Sequence, residues 1–397
     1  MSHRIETPQR LALVERVAAL GPGFARRAEA TDRAATFPHA NWDDLADAGL
    51  LAICVPTADG GLGGDFVGYA LVAMELGRWC ATTALTFNMH VVTTLLTGQI
   101  VDDLDLTPAE RELVEQRRAI LRKGIVEQRA VHSQPFSEGA AAGATAGYAT
   151  RAVPVDGGYR VTGRKIFASL AGAASVHNMV CMVEGDPRIR LLGVPADADG
   201  LEIEGEWDPL GMRGTDSRNL VLHDVFVPAD HEWIPPGVFD QAARRWPYYY
   251  LTLSFTYLGL MQGIVDRAGA YLRGDGGAPT ARRDHPIKQQ GWAQMHLIND
   301  RARALCLQVL AESGVDPSPD QVRRAWSSMV TTMEGVAEVA SLAIRVCGGR
   351  SLLRPSYLEQ AYRDARAGAT MLPWSVEVCL ERLGRAGLYP DDDRAPA

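Results

Sequence analysis

Three stretches of this chain set hydroxyls, a guanidinium and paired glycines where a ligand could be held. The first runs from Trp207 through Gly211, Met212, Arg213, Gly214, Thr215, Asp216 and Ser217 to Arg218, then passes into Leu220 to Pro228. A polar, glycine-bearing loop feeding a β-branched strand that stops at proline is how a sheet edge places a few side chains beside a ligand. Here those side chains are Arg213, Thr215 and Ser217. The second stretch, Val161 to Ser169, carries Phe167 and Ser169 two places apart. Strand alternation puts that ring and that hydroxyl on one face. The third, Val346-Cys347-Gly348-Gly349, ends a helical pattern, and paired glycines at a helix end let backbone N–H groups approach a phosphate. Two titratable side chains complete the set. His90 in an apolar helix could move a proton or orient a substrate, and reads more plainly as a core residue. Tyr249, flanked by Tyr248 and Tyr250, could act as a base only if its phenol, with a free pKa of roughly 10, were strongly depressed. Three packed tyrosines at a helix start is the plainer reading. No metal site is read.

The elements that must position these residues change character twice. The first 124 residues read as helices: Arg10 to Leu20 up to a break at Gly21-Pro22-Gly23, then Trp42 to Leu51, Phe66 to Trp79 and Pro108 to Arg122. Between them lies the connector Gly60-Gly61-Leu62-Gly63-Gly64. Residues 125–235 read as a small antiparallel β domain of short alternating runs between turn signals, including Arg151 to Val155 and the turn Asp156-Gly157-Gly158. Residues 236–390 return to helical spacing in four long segments, Tyr248 to Leu272, His285 to Ser313, Pro319 to Cys347 and Tyr357 to Leu383, as in a four-helix bundle. The tail 391–397 is acidic and proline-bearing, which reads as disordered.

Composition excludes several function classes. The net charge of -8 argues against a nucleic-acid backbone as partner. Lys123, Lys165 and Lys288 are the only lysines among 40 basic residues. No apolar run reaches the roughly 20 residues of a membrane span, and no signal peptide is read. The six cysteines lie far apart in apolar surroundings and read as free thiols of a cytoplasmic protein.

The loop 207–218, the Val161–Ser169 strand, the Val346–Gly349 turn ahead of Tyr362-Arg363-Asp364-Ala365-Arg366, and Val55 to Arg78 together resemble the acyl-CoA dehydrogenase superfamily over nearly the whole chain. That resemblance implies a mainly α fold with a central β domain, bound FAD and a homotetramer or homodimer built through the bundle. It also implies an oxidoreductase acting on an acyl thioester carried by coenzyme A or a carrier protein. By the same resemblance Ser133, Phe167, Ser169, Gln289, Arg345, Gly348, Gly349 and Trp374 stand at cofactor-binding positions. Arg213, Thr215 and Ser217 lie on the loop that closes the site. The pair Arg363-Asp364 reads as an ion pair within or between subunits.

The departures from the family are coordinated. Oxidation of a thioester removes an α-proton with a positioned carboxylate. At the two positions from which relatives supply it, this chain has Leu372 and Tyr249. The family's threonine is Trp374, its glutamine is Arg345, and the glutamate-bearing motif is Ser133-Gln134-Pro135-Phe136-Ser137-Glu138-Gly139, with the anionic partner replaced. Three readings follow. The first, which the sequence favours by analogy with the fold's commoner use, keeps the acyl thioester. The second is a monooxygenase using O2 and reduced flavin, FMN or FAD, delivered by a separate flavin reductase; that chemistry belongs to the cofactor and needs no carboxylate base. The third is a non-catalytic paralogue, against which the retained Ser169, Gly348 and Gly349 argue.

Overall fold

The computed structural model describes residues 5–139, 147–275 and 282–389, which follow the order helices, strands, helices. Helix α1 (Pro8–Ala34) is capped by the Thr7 hydroxyl and carries Pro8 in its first turn, where a missing N–H is no loss. It runs unbroken through Gly21-Pro22-Gly23, correcting the break read there. A Cβ added at Gly21 would lie 2.4 Å from the Trp79 indole, so tertiary packing overrides the local breakers. Helices α2 (His39–Asp47), α3 (Phe66–Trp79), α4 (Ala81–Leu95) and α5 (Pro108–Gln128) complete the first layer. In α4 every residue except Met89 is buried. Its threonines, Asn88 and His90 are buried along with its apolar residues, so no exposed polar face marks its bounds, and the sequence reading placed His90 in a helix without giving that helix a range.

Strands β1 (His132–Ser133), β2 (Arg151–Val155), β3 (Gly158–Ala168), β4 (Val176–Val183), β5 (Asp186–Pro195), β6 (Leu201–Glu204) and β7 (Arg218–Pro228) form one sheet. Its order is β1-β4-β2-β3-β7-β6, with β5 on β4. The sheet is mixed and not purely antiparallel, because β4 runs parallel to both β1 and β2. Strand β1 is two residues long, too short for alternation to show.

Helices α6 (Val238–Arg245), α7 (Thr252–Arg273), α8 (Pro286–Glu312), α9 (Pro319–Cys347), α10 (Tyr357–Ala367) and α11 (Val376–Leu388) form the last layer. The segment read as one helix from Tyr357 to Leu383 is two. The chain leaves helical conformation after Thr370, passes Pro373, and restarts with the Ser375 hydroxyl capping α11. The tail 391–397, and residues 276–281 between Arg273 and His285, lie outside the described residues.

Candidate functional site

Phe167 and Ser169 do not share a face through strand alternation. The β3–β7 register shifts between Lys165 and Ala168, Phe167 takes a left-handed φ of 53°, and Ser169 follows the strand's last residue with its N–H on the Phe167 carbonyl. The irregularity leaves the Phe167 ring 66% exposed, edge-on to Trp207 at 6.4 Å. A left-handed non-glycine residue carrying an uncovered aromatic ring is strained, and such strain gathers at ligand sites.

Behind Ser169 lies a line of hydroxyls. Ser169 Oγ is 2.8 Å from Ser217 Oγ, which is 2.7 Å from Thr215 Oγ1, and Thr215 donates to the Met212 carbonyl at 2.9 Å. Thr215 and Ser217 are buried. The loop reaches them because Gly211 presses on the α10 backbone, where an added Cβ would meet the Arg363 carbonyl at 2.4 Å. Asp364 accepts the Met212 N–H at 2.6 Å. Arg363 does not pair with Asp364. It grips Asp32 with two nitrogens, Glu359 one turn back and the Leu210 carbonyl, tying α10 to α1 and to the loop. Arg213 is likewise held, by the Asp32 carbonyl, Asp208 and the Pro209 carbonyl. Its guanidinium braces the loop from behind.

The two titratable candidates are both spoken for. His90 accepts the His132 N–H at Nδ1, so the proton sits on Nε2 and is donated to the Leu51 carbonyl at 2.8 Å. Burial lowers its pKa to about 4. With both ring nitrogens engaged it is a core histidine, which corrects its reading as a proton donor. Tyr249 donates to Gln134 Oε1 at 2.6 Å, and burial raises its phenol well above the ordinary value. A phenol shifted that way is no base at neutral pH, so that reading is corrected as well. Leu372 is 57% exposed.

Gln134 continues the network. Its amide donates to Thr93 Oγ1 at 3.1 Å, the Asn178 amide reaches the same oxygen at 3.0 Å, and Trp233 Nε1 donates to Asn178 at 2.6 Å. Ser133 is fully buried, 2.7 Å from His177 Nδ1. Burial lowers His132 to about 3 and His177 to about 4, and neither Nε2 has a protein partner. Gln134, His177, Asn178 and Asp364 went unrecognised as site residues, because their partners lie across a two-residue strand or another domain. The carboxylates of Asp364 and Glu138 are both engaged within the protein. Asp364 binds Met212 and Gln360, while Glu138 is buried against Lys165 with the Thr150 hydroxyl at 2.5 Å.

The remaining cofactor positions form two groups. Trp374 is buried with its Nε1 unpartnered, 5.9 Å from Tyr250 and 6.3 Å from Trp326. Gln289, Arg345, Gly348 and Gly349 gather at the other end of α9, where Lys288 on α8 binds the Val346 carbonyl. Trp326 and Gly348 are separated by about 33 Å of helix at roughly 1.5 Å per residue. One protomer therefore does not bring its glycine turn to its own Trp374.

Models of the acyl-CoA dehydrogenase N-terminal, middle and C-terminal domains match residues 9–101, 136–225 and 250–373. Putative acyl-CoA dehydrogenase YdbM of Bacillus subtilis (strain 168) is 26% identical over 376 residues, covering 93% of this chain and 94% of the relative. L-evernosamine nitrososynthase of a Micromonospora species is 26% identical over 407 residues, covering 98% and 92%. The FMN-bound structure of TdsC from Paenibacillus sp. A11-2, a dibenzothiophene monooxygenase, shares the fold at a TM-score of 0.83 and 22% identity, covering 97% and 99%.

Proposed function

Because the chain belongs to the acyl-CoA dehydrogenase family, a family of FAD-dependent oxidoreductases, we propose that it oxygenates a small molecule with O2 and a flavin supplied in the reduced state. The observation that carries this reading is that neither family base position holds a carboxylate. Leu372 and Tyr249 occupy the two base positions, and Asp364 and Glu138 have their oxygens engaged within the protein. A reaction whose difficult step belongs to the cofactor does not need one. The names of the nitrososynthase and of TdsC support the same direction.

The residues present fit a flavin. Phe167 offers an exposed ring beside a half-buried hydroxyl, and Trp374 Nε1 is buried and unpartnered. At Gly348, with φ 86°, and at Gly349 an added Cβ would meet nothing within 4 Å, so the turn borders open space. When bound, the flavin supplies two-electron redox chemistry and, once reduced, reacts with oxygen. Phe167 would cover the ring and Ser169 would meet its N5 edge. The glycine turn would hold phosphate oxygens from a second copy of the chain, through backbone N–H groups with Arg345 beside them. Tyr249, Gln134 and Thr93 form a neutral, hydrogen-bonded group that would border the site.

The test supplies reduced FMN or FAD through a flavin reductase under isotopically labelled dioxygen, with panels of amines, thioethers and indoles. Label in a product supports the proposal. Reductase-independent turnover of any substrate contradicts it. A second reading keeps an acyl thioester as substrate, which the name of the Bacillus relative supports. It requires a base outside the groups described above.

A further inference from the structure

The hydroxyl line behind Ser169 has a direction, and the backbone sets it. The Met212 carbonyl can only accept. It already takes the Thr215 N–H at 3.1 Å and the Trp207 indole N–H at 3.3 Å, and Thr215 Oγ1 stands 2.9 Å away. Two oxygens at that separation with no proton between them repel, so the Thr215 proton points at Met212. The two N–H groups hold the Met212 carbonyl in place, and the preceding peptide is anchored separately, its Met212 N–H on Asp364 at 2.6 Å.

Each hydroxyl carries one proton. Thr215 has used its own, so Ser217 must donate to Thr215 across 2.7 Å. Ser217 has then used its proton, and Ser169 must donate to Ser217 across 2.8 Å. Thr215 is 1% exposed and Ser217 6%, so solvent does not interrupt the line. Among the described residues Ser217 has only these two hydrogen-bond partners. Ser169, the half-buried end, is left with lone pairs alone.

We infer that Thr215 and Ser217 are positioning residues that make Ser169 a hydrogen-bond acceptor, so that the site prefers the reduced flavin, whose N5 bears a proton, over the oxidised flavin, whose N5 bears a lone pair. The inference rests on the proposed placement of the flavin N5 edge at Ser169. An acceptor there opposes the oxidised ring lone pair to lone pair and satisfies the reduced ring. It turns Thr215 and Ser217 from residues facing a substrate into residues that select a redox state without touching the flavin. It also gives a reason why Asp364, in another domain, is bound to the loop at Met212.

The experiment measures dissociation constants of the full chain for oxidised FMN and FAD, and anaerobically for the same flavins reduced with dithionite. Wild type binds the reduced forms more tightly. Thr215→Val removes the acceptor for Ser217, whose proton then turns to Ser169 and frees Ser169 to donate outward. Ser217→Ala frees Ser169 directly. Both variants lower the oxidised-to-reduced ratio of dissociation constants by about 5- to 10-fold, the worth of one hydrogen bond. Thr215→Ser, which restores the hydroxyl, leaves the ratio as in wild type. Tighter or equal binding of oxidised flavin by wild type overturns the inference, and so does an unchanged ratio in Thr215→Val and Ser217→Ala. If the folded wild type binds neither form, the flavin placement itself fails, a result that differs visibly from a ratio of the wrong sign.

Discussion

Tyr249 is the residue on which sequence and structure disagree most usefully. Its position implies a base and its environment opposes one, because the buried phenol donates to Gln134. Tyr249→Phe should therefore keep turnover within about tenfold of wild type while losing about 1–3 kcal/mol of stability, the cost of leaving the buried Gln134 oxygen unpaired. Activity assays and chemical unfolding read the two effects separately, and abolished turnover in a folded variant would restore the base. Lys165 makes the opposite kind of prediction. Its ammonium is fully buried against Glu138 and the Val180 carbonyl, and it was read only as part of a strand. Lys165→Met strands a buried carboxylate and should cost about 3–5 kcal/mol by denaturant unfolding. A loss under about 1 kcal/mol would show that Glu138 finds water or protonates easily. The residue types of the site were legible in the sequence, and Ser169, Thr215 and Ser217 do lie together. Their partners were not legible, since Gln134 meets Tyr249 across 115 residues and Met212 meets Asp364 across 152.

Elements follow the same division. Helices α3 and α9 have the bounds read from the sequence, because end signals mark them: the Asp65 cap for α3 and the Ser318–Gln321 capping box for α9. Helix α4, buried all round with its polar residues, and strand β1, two residues long, give no readable bounds. Helix α10 bears the contact that joins bundle to loop, and its Asp364 gives a pH prediction. Burial raises this carboxyl to about 7, against an ordinary value of 3.8. The folded protein then holds a proton that the unfolded chain releases between about pH 4 and 7. The contribution of this group to stability is therefore fully present below pH 4 and falls as pH rises to 7. Asp364→Asn, which keeps an acceptor for Met212, should be more stable than wild type at pH 8 by a few kcal/mol, on the order of three pKa units at about 1.4 kcal/mol each. The two melting curves should converge near pH 4. A variant less stable than wild type at pH 8 would mean that the ionised form is the better partner for Met212.

At the scale of the molecule, the proposed flavin contacts from Trp374 and from the glycine turn, separated along α9, would come from two copies of the chain. The bundle layer exposes Ile287, Leu297, Leu352, Leu353, Leu380 and Leu388, surface suited to self-association. Light scattering should give a whole-number multiple, two or four, of the 43.0 kDa chain, and Leu297→Glu should lower both that mass and flavin affinity. A stable monomer that binds flavin as tightly as the oligomer would remove the need for a second copy. No helix among the described residues is long and apolar enough to cross a membrane. All six cysteines are free. The measurement that bears most directly on the account is an anaerobic titration of the flavin-loaded protein with short-, medium- and long-chain acyl thioesters, followed in the visible spectrum and repeated with Leu372→Glu. The account predicts that the oxidised flavin keeps its colour with every thioester, and that the single added carboxylate does not change this, since Gln134, Trp374 and the polarity of Ser169 differ as well. Bleaching of the wild-type flavin by any thioester would show that the protein deprotonates an acyl carbon after all, and would contradict it.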